Sequence, residues 1–469
     1  MAERKVDEPR LSLCLIARDE EAMLAGCLES VRGVVDEIIV VDTGSRDRTV
    51  ALAAAAGAQV VSHTWNDDFS AARNRALELV RDGYVLVLDA DERLAPGGGD
   101  VLRAAITQGG FDSAELPLHN AASSDAGAER VLSGEARISP PIYLARLFRW
   151  NAELRWEGIV HEHVTRWVAK YPRRKRLEAP IVHYGAVPEV IEARGKNARN
   201  LRLLERRTQI DTRSPHVWRY YAQELLNHRQ RERALEAVDR SWELTVAAQH
   251  EGEACIDFVG PASLRAHLLI HLDRIDEAEQ TLAVASQEEP SHPNLHYLVG
   301  RCHEARSTHG LSADEDRSRC RHLANAEASY RECLALKNAP VAYDVFPGVT
   351  DYLAQTRLGT VLLLSGRQGE ALEHFEAVLA QRPHHVEALL GRLEAWLLDH
   401  KSAEVLACIE PLLCPELADG WILASLAGCI ESGFAAIEPI YQQALRSVDT
   451  ALLIAPHRQK LLKELGVQS

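Results

Sequence analysis

The 469-residue sequence is poor in the features that mark secreted, disulfide-stabilised and membrane-spanning proteins. Its nine cysteines include no C-x-x-C pair and stand mostly in apolar contexts, so we expect small core residues in a reducing compartment. No apolar run reaches the roughly 18 residues that span a bilayer, and residues 1–10 lack the apolar core of a secretory signal. We therefore expect a cytoplasmic protein without a transmembrane segment.

Positive charge is also in short supply. Lysine and arginine number 53 against 68 acidic residues, which gives a formal net charge of -15. An acidic surface repels nucleic acid and anionic membranes, so we expect neither as a partner. The exception is the basic run Lys170–Arg176, which we interpret as a solvated loop. The alternative is a site for an anionic partner.

The N-terminal part of the chain alternates apolar runs with helical spacing. Four strands are predicted, at Leu11–Ala17, Ile38–Val41, Ala58–Ser62 and Tyr84–Leu88. Helix N-caps are predicted at Asp19, at Ser45 and at Asp67 or Asp68. Strands joined by helices imply a parallel sheet with helices on both faces, and such sheets bind ligands beyond the carboxyl ends of their strands. Polar clusters fall at these ends, at 18–20, 42–45 and 89–91.

The pattern becomes less regular after Asp112. Further strands are predicted at Ser113–Leu118 and Tyr143–Phe148. Between them, Ala121–Ala136 is rich in alanine, serine, glycine and acidic residues. We predict a mobile loop there, either a lid or an insertion.

Two carboxylates, Asp89 and Asp91, follow the fourth predicted strand directly. At two residues' separation both can turn towards one cleft, and oxygen ligands of this type hold Mg²⁺ or Mn²⁺. Such a metal ion neutralises a diphosphate leaving group. The alternative is a solvated turn rich in aspartate.

Four motifs occur in order along this part of the chain. They are LIARDE at 15–20, VVDTGSRD at 40–47, FSAARN at 69–74 and DAD at 89–91. With these motifs, residues 10–185 resemble the family 2 glycosyltransferases of the GT-A type. The resemblance implies an α/β, Rossmann-like nucleotide-diphospho-sugar transferase domain, which we assign to residues 1–186. It also implies an enzyme of the hexosyltransferase type.

The same resemblance implies roles for single residues. Nucleotide-sugar-binding roles fall to Ala17, Glu20, Asp42, Arg73, Asp89 and Ala90. Asp42 would accept a hydrogen bond from the base, and Arg73 would lie near the base and phosphates. Mn²⁺ or Mg²⁺ would be held by Asp89, Asp91 and His183, and Asp91 is also expected to be catalytic. The alternatives are structural, with Asp42 forming its own turn and Arg73 lying on the surface.

A second polar group, WEGIVHEH, occupies residues 156–163. A displacement that inverts the anomeric carbon needs a base for the acceptor proton, usually a carboxylate on this fold. We predict Glu162 as that base, with Glu157 and the histidines as alternatives, and His161 as the alternative to His183 on the metal. The run is not a zinc-protease motif, because that motif needs histidines four apart on a helix.

The C-terminal half is helical and repetitive. The spacing of Leu358, Gly359, Leu362, Ala371 and Phe375 matches a helix-turn-helix repeat of about 34 residues. It resembles the tetratricopeptide family over about 215–400, interrupted by an insertion at about 310–323, and 400–469 is weaker but helical. We therefore predict an all-α solenoid over 187–469.

This domain order is similar to that of bacterial S- and O-glycosyltransferases with tetratricopeptide domains. It implies a nucleotide-sugar donor, a UDP-sugar above others. The acceptor would be a peptide or protein held by the repeats, because solenoids offer an extended concave surface, or else a carbohydrate or lipid-linked sugar. A processive synthase is disfavoured, since no Q-x-x-R-W run is present.

Two other classes of function compete with this interpretation. The first is a repeat scaffold or adaptor with a non-catalytic N-terminal domain. It is disfavoured because Asp42, Asp89 and Asp91 are all present, with Glu162 available as a base. The second is a nucleotidyltransferase, which usually carries a glycine-rich loop after its first strand. Here that loop reads Ala-Arg-Asp-Glu.

Overall fold

The computed structural model describes residues 8–138, 141–187, 190, 196–251, 257–307, 313–338, 345–346, 348–383 and 385–398. The chain divides into two compact units, Met1–Leu244 and Thr245–Ser469. The predicted domain boundary between residues 186 and 187 stays a prediction. The weaker helical pattern predicted for residues 400–469 lies outside the described residues.

The first unit contains, among its described residues, a nine-stranded sheet. The strands are β1 Leu11–Ala17, β2 Glu37–Asp42, β3 Gln59–Ser62, β4 Tyr84–Val87, β5 Glu92–Leu94, β6 Ser113–Asn120, β7 Ile142–Arg149, β8 Arg174–Arg176 and β9 Ile181–His183. Their order is β3-β2-β1-β4-β7-β6-β9-β5, with β8 beside β6. The four predicted N-terminal strands are parallel, but β7 joins β4 antiparallel, so the sheet is mixed.

Helices cover both faces of this sheet. The described helices of the N-terminal part are α1 Leu24–Ser30, α2 Thr49–Ala55, α3 Phe69–Leu77, α4 Gly98–Gln108, α5 Ala128–Ser133, α6 Thr165–Lys170, α7 Lys196–Ile210, α8 Pro215–Asn227 and α9 Arg231–His250. Alternate residues of a strand face opposite sides, so Leu13 packs with α1 and α4 while Cys14 packs with α3. These layers fix the carboxyl ends of β1, β2 and β4 at one edge.

The predicted helix caps are partly confirmed. The Asp68 carboxylate accepts a hydrogen bond from the Ala71 amide at 2.9 Å and caps α3. Asp19 does not cap α1, because its φ of 53° is left-handed and its carboxylate accepts from the Arg46 amide. The Ser45 hydroxyl accepts from the Asp19 amide instead of capping α2. These side chains join two loops at the edge of the sheet.

The segment predicted as a mobile loop, Ala121–Ala136, is instead structured. It contains α5, and Val131 is fully buried in a cluster with Val182 and Tyr184. The Tyr184 hydroxyl also donates to the Ala126 carbonyl at 3.0 Å. The alanine-rich composition did not indicate the small apolar core that packs this segment against β9.

The basic run is also not a loop, since it contributes β8 beside β6. Arg173 forms two hydrogen bonds with the Asp112 carboxylate, and Arg176 pairs with Glu115. These two charges are paired with carboxylates of the protein, and the alternative of a site for an anionic partner stays a prediction.

The second unit is helical over its described residues. Its helices after α9 are α10 Val259–His271, α11 Ile275–Glu288, α12 Pro293–Ser307, α13 Ala313–Ala335, α14 Ala354–Leu364, α15 Gln368–Gln381 and α16 Val386–Leu398, with a 3₁₀ turn at Leu336–Asn338 and a π-helical turn at Val349–Leu353. Within the described part of the chain, no helix combines the length and the apolar character needed to cross a bilayer.

Small residues let neighbouring helices approach closely, as the repeat pattern predicts. A Cβ added to Gly359 of α14 would lie 2.7 Å from the Phe375 ring of α15, and one added to Gly300 would lie 2.6 Å from Tyr330. The region therefore resembles tetratricopeptide proteins. The predicted insertion is helical from Ala313 onwards, where it forms the first part of α13, and its first residues, 310–312, lie outside the described residues.

Candidate active site

The carboxyl ends of β1 and β2 form the first part of the site. Ala17 and Asp42 are paired in register at these ends, and Asp42 is buried. The Asp42 carboxylate accepts hydrogen bonds from the amides of Gly44 and Ser45, each at 3.1 Å. Asp42 therefore forms its own turn. A carboxylate offers about four acceptor positions, so this turn is compatible with a further bond from a nucleotide base.

Glu20 lies half-buried at the same edge. Its amide donates to the Thr49 hydroxyl at 2.7 Å, which ties the loop after β1 to the start of α2. The edge is thus organised by the protein's own hydrogen bonds. The predicted nucleoside-binding roles of Ala17 and Glu20 stay predictions.

Arg73 of α3 is the centre of the site. Its Nε donates to Glu162 Oε1 at 2.5 Å, and its Nη2 donates to Asp89 Oδ1 at 2.9 Å. The guanidinium also lies 5.2 Å from the centre of the Trp156 ring. Three predicted site residues therefore meet here, and the alternative of a surface position for Arg73 is wrong because the side chain is buried.

The charges in this group stabilise one another. Burial alone lowers the pKa of Arg73, but Asp89 and Glu162 outweigh it and raise that pKa above its ordinary value. Burial alone raises the pKa of Asp89, but Arg73 and Arg146 hold it well below its usual range. Arg73 and Asp89 are therefore both charged at neutral pH, and their separation of 2.9 Å is that of an ion pair.

A third carboxylate, Glu92, was missed by the sequence reasoning. Its Oε2 accepts from the Asp89 amide at 3.0 Å, and its Oε1 accepts from Arg146. Burial raises the pKa of Glu92 to about 7, although Arg146 acts in the opposite direction. Glu92 thus holds the backbone of Asp89 through this hydrogen bond. The signal in the sequence was the third acidic residue of the run Asp89–Glu92.

Asp91 and His183 form a separate pair at the ends of β5 and β9. His183 Nε2 lies 3.7 Å from Asp91 Oδ1, and both side chains are largely buried. On the other side of the ring, His183 Nδ1 lies 2.8 Å from Asn120 Oδ1. An amide oxygen only accepts, so Nδ1 is the donor to Asn120, and Nε2 is the ring nitrogen that faces Asp91. Metal-binding histidines are commonly oriented in this way.

The predicted metal ligands are therefore only partly brought together. Within the described residues, no group of three or more His, Cys, Asp or Glu side chains is arranged to hold a metal ion. Asp89 is directed to Arg73, whereas Asp91 and His183 face each other. Two protein ligands still fit Mg²⁺ or Mn²⁺, because these ions take further oxygens from water and substrate phosphates. The ligand set stays a prediction.

The alternatives to Glu162 and His183 lie elsewhere in the same loop. His161 is stacked on Tyr220, with ring centres 4.4 Å apart. His163 Nε2 lies 3.2 Å from Arg207, and Glu157 pairs with Arg166. Within residues 157–163, Glu162 is the side chain that reaches Arg73. This contact favours Glu162 over its neighbours as the base.

Gly185 provides a test of the Asp91–His183 pair. A Cβ at this position would lie 2.0 Å from Asp91 Oδ2 and 2.8 Å from His183 Nε2. We expect Gly185→Ala to displace both side chains and to weaken metal-dependent UDP binding about 10-fold or more. Gly127→Ala is the matched control, because nothing lies within 4 Å of its added Cβ. Titration of UDP with and without Mn²⁺ measures both, and an unchanged affinity in Gly185→Ala would contradict the assignment.

Comparison with known proteins finds relatives of the N-terminal part of the chain. Residues 12–114 match the family model described as Glycosyl transferase family 2. A TPR repeat-containing protein of Synechococcus elongatus is 38% identical over 205 residues, which are 42% of this chain and 47% of that protein. The SPbeta prophage-derived glycosyltransferase SunS of Bacillus subtilis is 24% identical over 223 residues, 47% of this chain and 50% of SunS.

Among solved structures, glucosyl-3-phosphoglycerate synthase from Mycobacterium tuberculosis, in complex with Mg²⁺ and UDP, is 27% identical. That match covers 24% of this chain and 44% of the synthase, with a TM-score of 0.22. The chain spans about half the length of the curated relatives named above. It carries a family 2 glycosyltransferase domain, followed by a helical region that resembles tetratricopeptide proteins.

Proposed function

We propose that this chain transfers a sugar from a nucleoside-diphosphate sugar, a UDP-sugar above others, to an acceptor with inversion at the anomeric carbon. One observation carries the proposal. Arg73 joins the carboxylate of Glu162 to that of Asp89, although these residues lie 89 and 16 positions away in the sequence. A buried arginine that joins a carboxylate at the carboxyl end of β4 to a carboxylate from a loop supports a reaction centre there.

The donor would lie along the edge formed by β1, β2 and β4. Asp42 would accept from the base, while Ala17, Glu20, Asp89 and Ala90 would border the nucleoside and ribose. Asp91 and His183 would hold Mn²⁺ or Mg²⁺ beside the diphosphate. When bound, this ion neutralises the charge that develops on the leaving group.

Glu162 would act on the acceptor. As the acceptor atom forms its bond to the anomeric carbon, the bond from that carbon to the diphosphate oxygen breaks and the nucleoside diphosphate leaves. The acceptor proton passes to the Glu162 carboxylate. Because Arg73 binds Glu162 through Oε1, Oε2 is the oxygen that would take the proton.

A peptide or protein held on the helical repeats, or a carbohydrate, agrees with the domain order. Water can replace either acceptor slowly in an assay, because it presents a hydroxyl to the same base.

A donor panel tests the proposed reaction. Purified protein with Mn²⁺ is incubated with UDP-, GDP- and dTDP-sugars, and nucleotide release is followed together with the anomeric proton signals of the freed sugar. We expect hydrolysis of a UDP-sugar, with a first-formed anomer opposite to that of the donor. Failure to bind or hydrolyse any of these sugars would reject the proposal, and retention of configuration would reject inversion.

A further inference from the structure

Helix α7 contacts both segments that lead to the reaction centre. Arg202 forms two hydrogen bonds with the Asp67 carboxylate, just before α3 and its Arg73. Arg207, five residues further on, enters the loop that carries Glu162. The two segments are also joined directly, because the Phe69 amide donates to the Ile159 carbonyl at 2.9 Å.

The Arg207 guanidinium is buried inside this loop. Its Nη1 donates to the carbonyls of Val160 and His161, the second at 3.1 Å. Its Nη2 lies 3.2 Å from His163 Nε2. Arginine can only donate, so Arg207 is the donor in this contact. The residues on both sides of Glu162 are therefore held by one side chain.

The loop backbone is shaped around this arginine. Gly158 has a φ of +91°, and a Cβ there would lie 2.4 Å from Arg207 Nη2. His161 has a φ of 49°, which is uncommon for a residue with a side chain, and its ring is stacked on Tyr220 of α8. A backbone in this conformation persists only where its surroundings hold it.

We propose that Arg207 is a positioning residue for Glu162, and that α7 and α8 thereby belong to the catalytic apparatus. The proposal rests on the proposed function for its effect on turnover. Arg207 fixes the carbonyl of residue 161 and the ring of residue 163, so that the Glu162 carboxylate is presented to Arg73. The nucleotide edge at β1 and β2 has no part in these contacts.

The test uses the full chain with Arg207→Met, which keeps an unbranched side chain and removes every donor. We expect the turnover number for donor hydrolysis to fall about 10- to 100-fold, because small displacements of a catalytic group cost this much. UDP affinity should stay within about twofold, since the nucleotide edge is separate. Hydrogen exchange should accelerate in residues 157–163 and not in β1 or β4.

Two further variants sharpen this test. Arg240→Met removes an exposed arginine of α9 that pairs with Glu243 of the same helix, and it should leave turnover and exchange unchanged. Tyr220→Leu removes the His161 stack from a half-buried position and should lower turnover by about 3- to 10-fold, which keeps the proposal testable if Arg207→Met does not fold.

The outcomes separate this proposal from the proposed function. Normal turnover in Arg207→Met, or unchanged exchange in its loop, would overturn the positioning role. Equal losses of turnover and UDP affinity would also overturn it, because they indicate general damage. Wild-type protein that hydrolyses no nucleotide sugar would reject the proposed function and the catalytic part of this one, while exchange still decides whether Arg207 holds the loop.

Discussion

Arg73→Met is expected to destabilise the first unit by about 3 kcal/mol at pH 7 and to abolish measurable turnover. The substitution leaves the carboxylates of Asp89 and Glu162 close together without the cation that joins them. Removing one partner of a buried ion pair costs about 3 to 5 kcal/mol, and the lower value applies because Asp89 keeps 37% of its side chain exposed. Urea unfolding measures the change.

The pH dependence of this effect has a defined sign. The pKa of Asp89 is lowered on folding, so its ionisation stabilises the fold above the unfolded pKa of about 3.9 and this contribution is lost as the pH falls through the folded pKa. Without Arg73, the pKa of Asp89 loses the main interaction that lowers it. The stability difference between wild type and Arg73→Met should therefore shrink as the pH is taken from 7 to below about 4.

Arg75→Met is the matched control for Arg73. It lies on the same helix, but its side chain is exposed and pairs with Glu78 one turn away. We expect a change below about 0.5 kcal/mol and normal turnover. Equal effects of the two substitutions would contradict the central role of Arg73.

Glu162→Gln is expected to reduce donor hydrolysis about 100- to 10,000-fold, the range that general-base catalysis contributes. The amide keeps the size of the side chain, and its oxygen can still accept from Arg73 Nε. UDP binding should therefore be retained while the proton acceptor is lost. Initial rates with saturating donor, together with UDP titration, separate the two effects.

Glu157→Gln provides the comparison, because Glu157 lies in the same loop and pairs with the exposed side chain of Arg166. We expect nearly normal turnover in this variant. If Glu157→Gln were inactive and Glu162→Gln active, the base would have been assigned to the wrong carboxylate.

The parallel half of the sheet was predictable because its signal is local. Leu11–Ala17 is a continuous apolar run, and such runs are typical of strands that are buried on both faces. The antiparallel half was harder to predict from sequence. The pairing of β4 with β7 joins residues that are far apart in the chain, and no turn sequence between them indicates it. The structure of segment Ala121–Ala136 was not predicted for a related reason. Its small side chains form a core together with residues of and next to β9, which lie far away in the sequence.

The candidate site shows the same division between local and long-range information. The motifs predicted site roles for Asp42, Arg73 and Asp89, and the second polar group predicted one for Glu162, but spacing alone did not indicate that Arg73 joins Asp89 and Glu162. Arg207 lies in none of the sequence motifs. It comes into contact with the loop at 157–163 only in the folded chain. A candidate site at strand ends can be predicted from sequence, whereas long-range contacts such as that of Arg207 with this loop depend on the folded structure.

The most direct test of a metal-dependent nucleotide site is calorimetric titration of UDP, with and without Mn²⁺, into wild type, Asp91→Asn and Asp125→Asn. Asp125 is an exposed carboxylate and serves as the control. We predict that Mn²⁺ tightens UDP binding about 10-fold or more in wild type and Asp125→Asn, and that Asp91→Asn loses this gain. UDP affinity that is independent of Mn²⁺, or an Asp91→Asn variant that responds to Mn²⁺ like wild type, would contradict the assignment of Asp91 and His183.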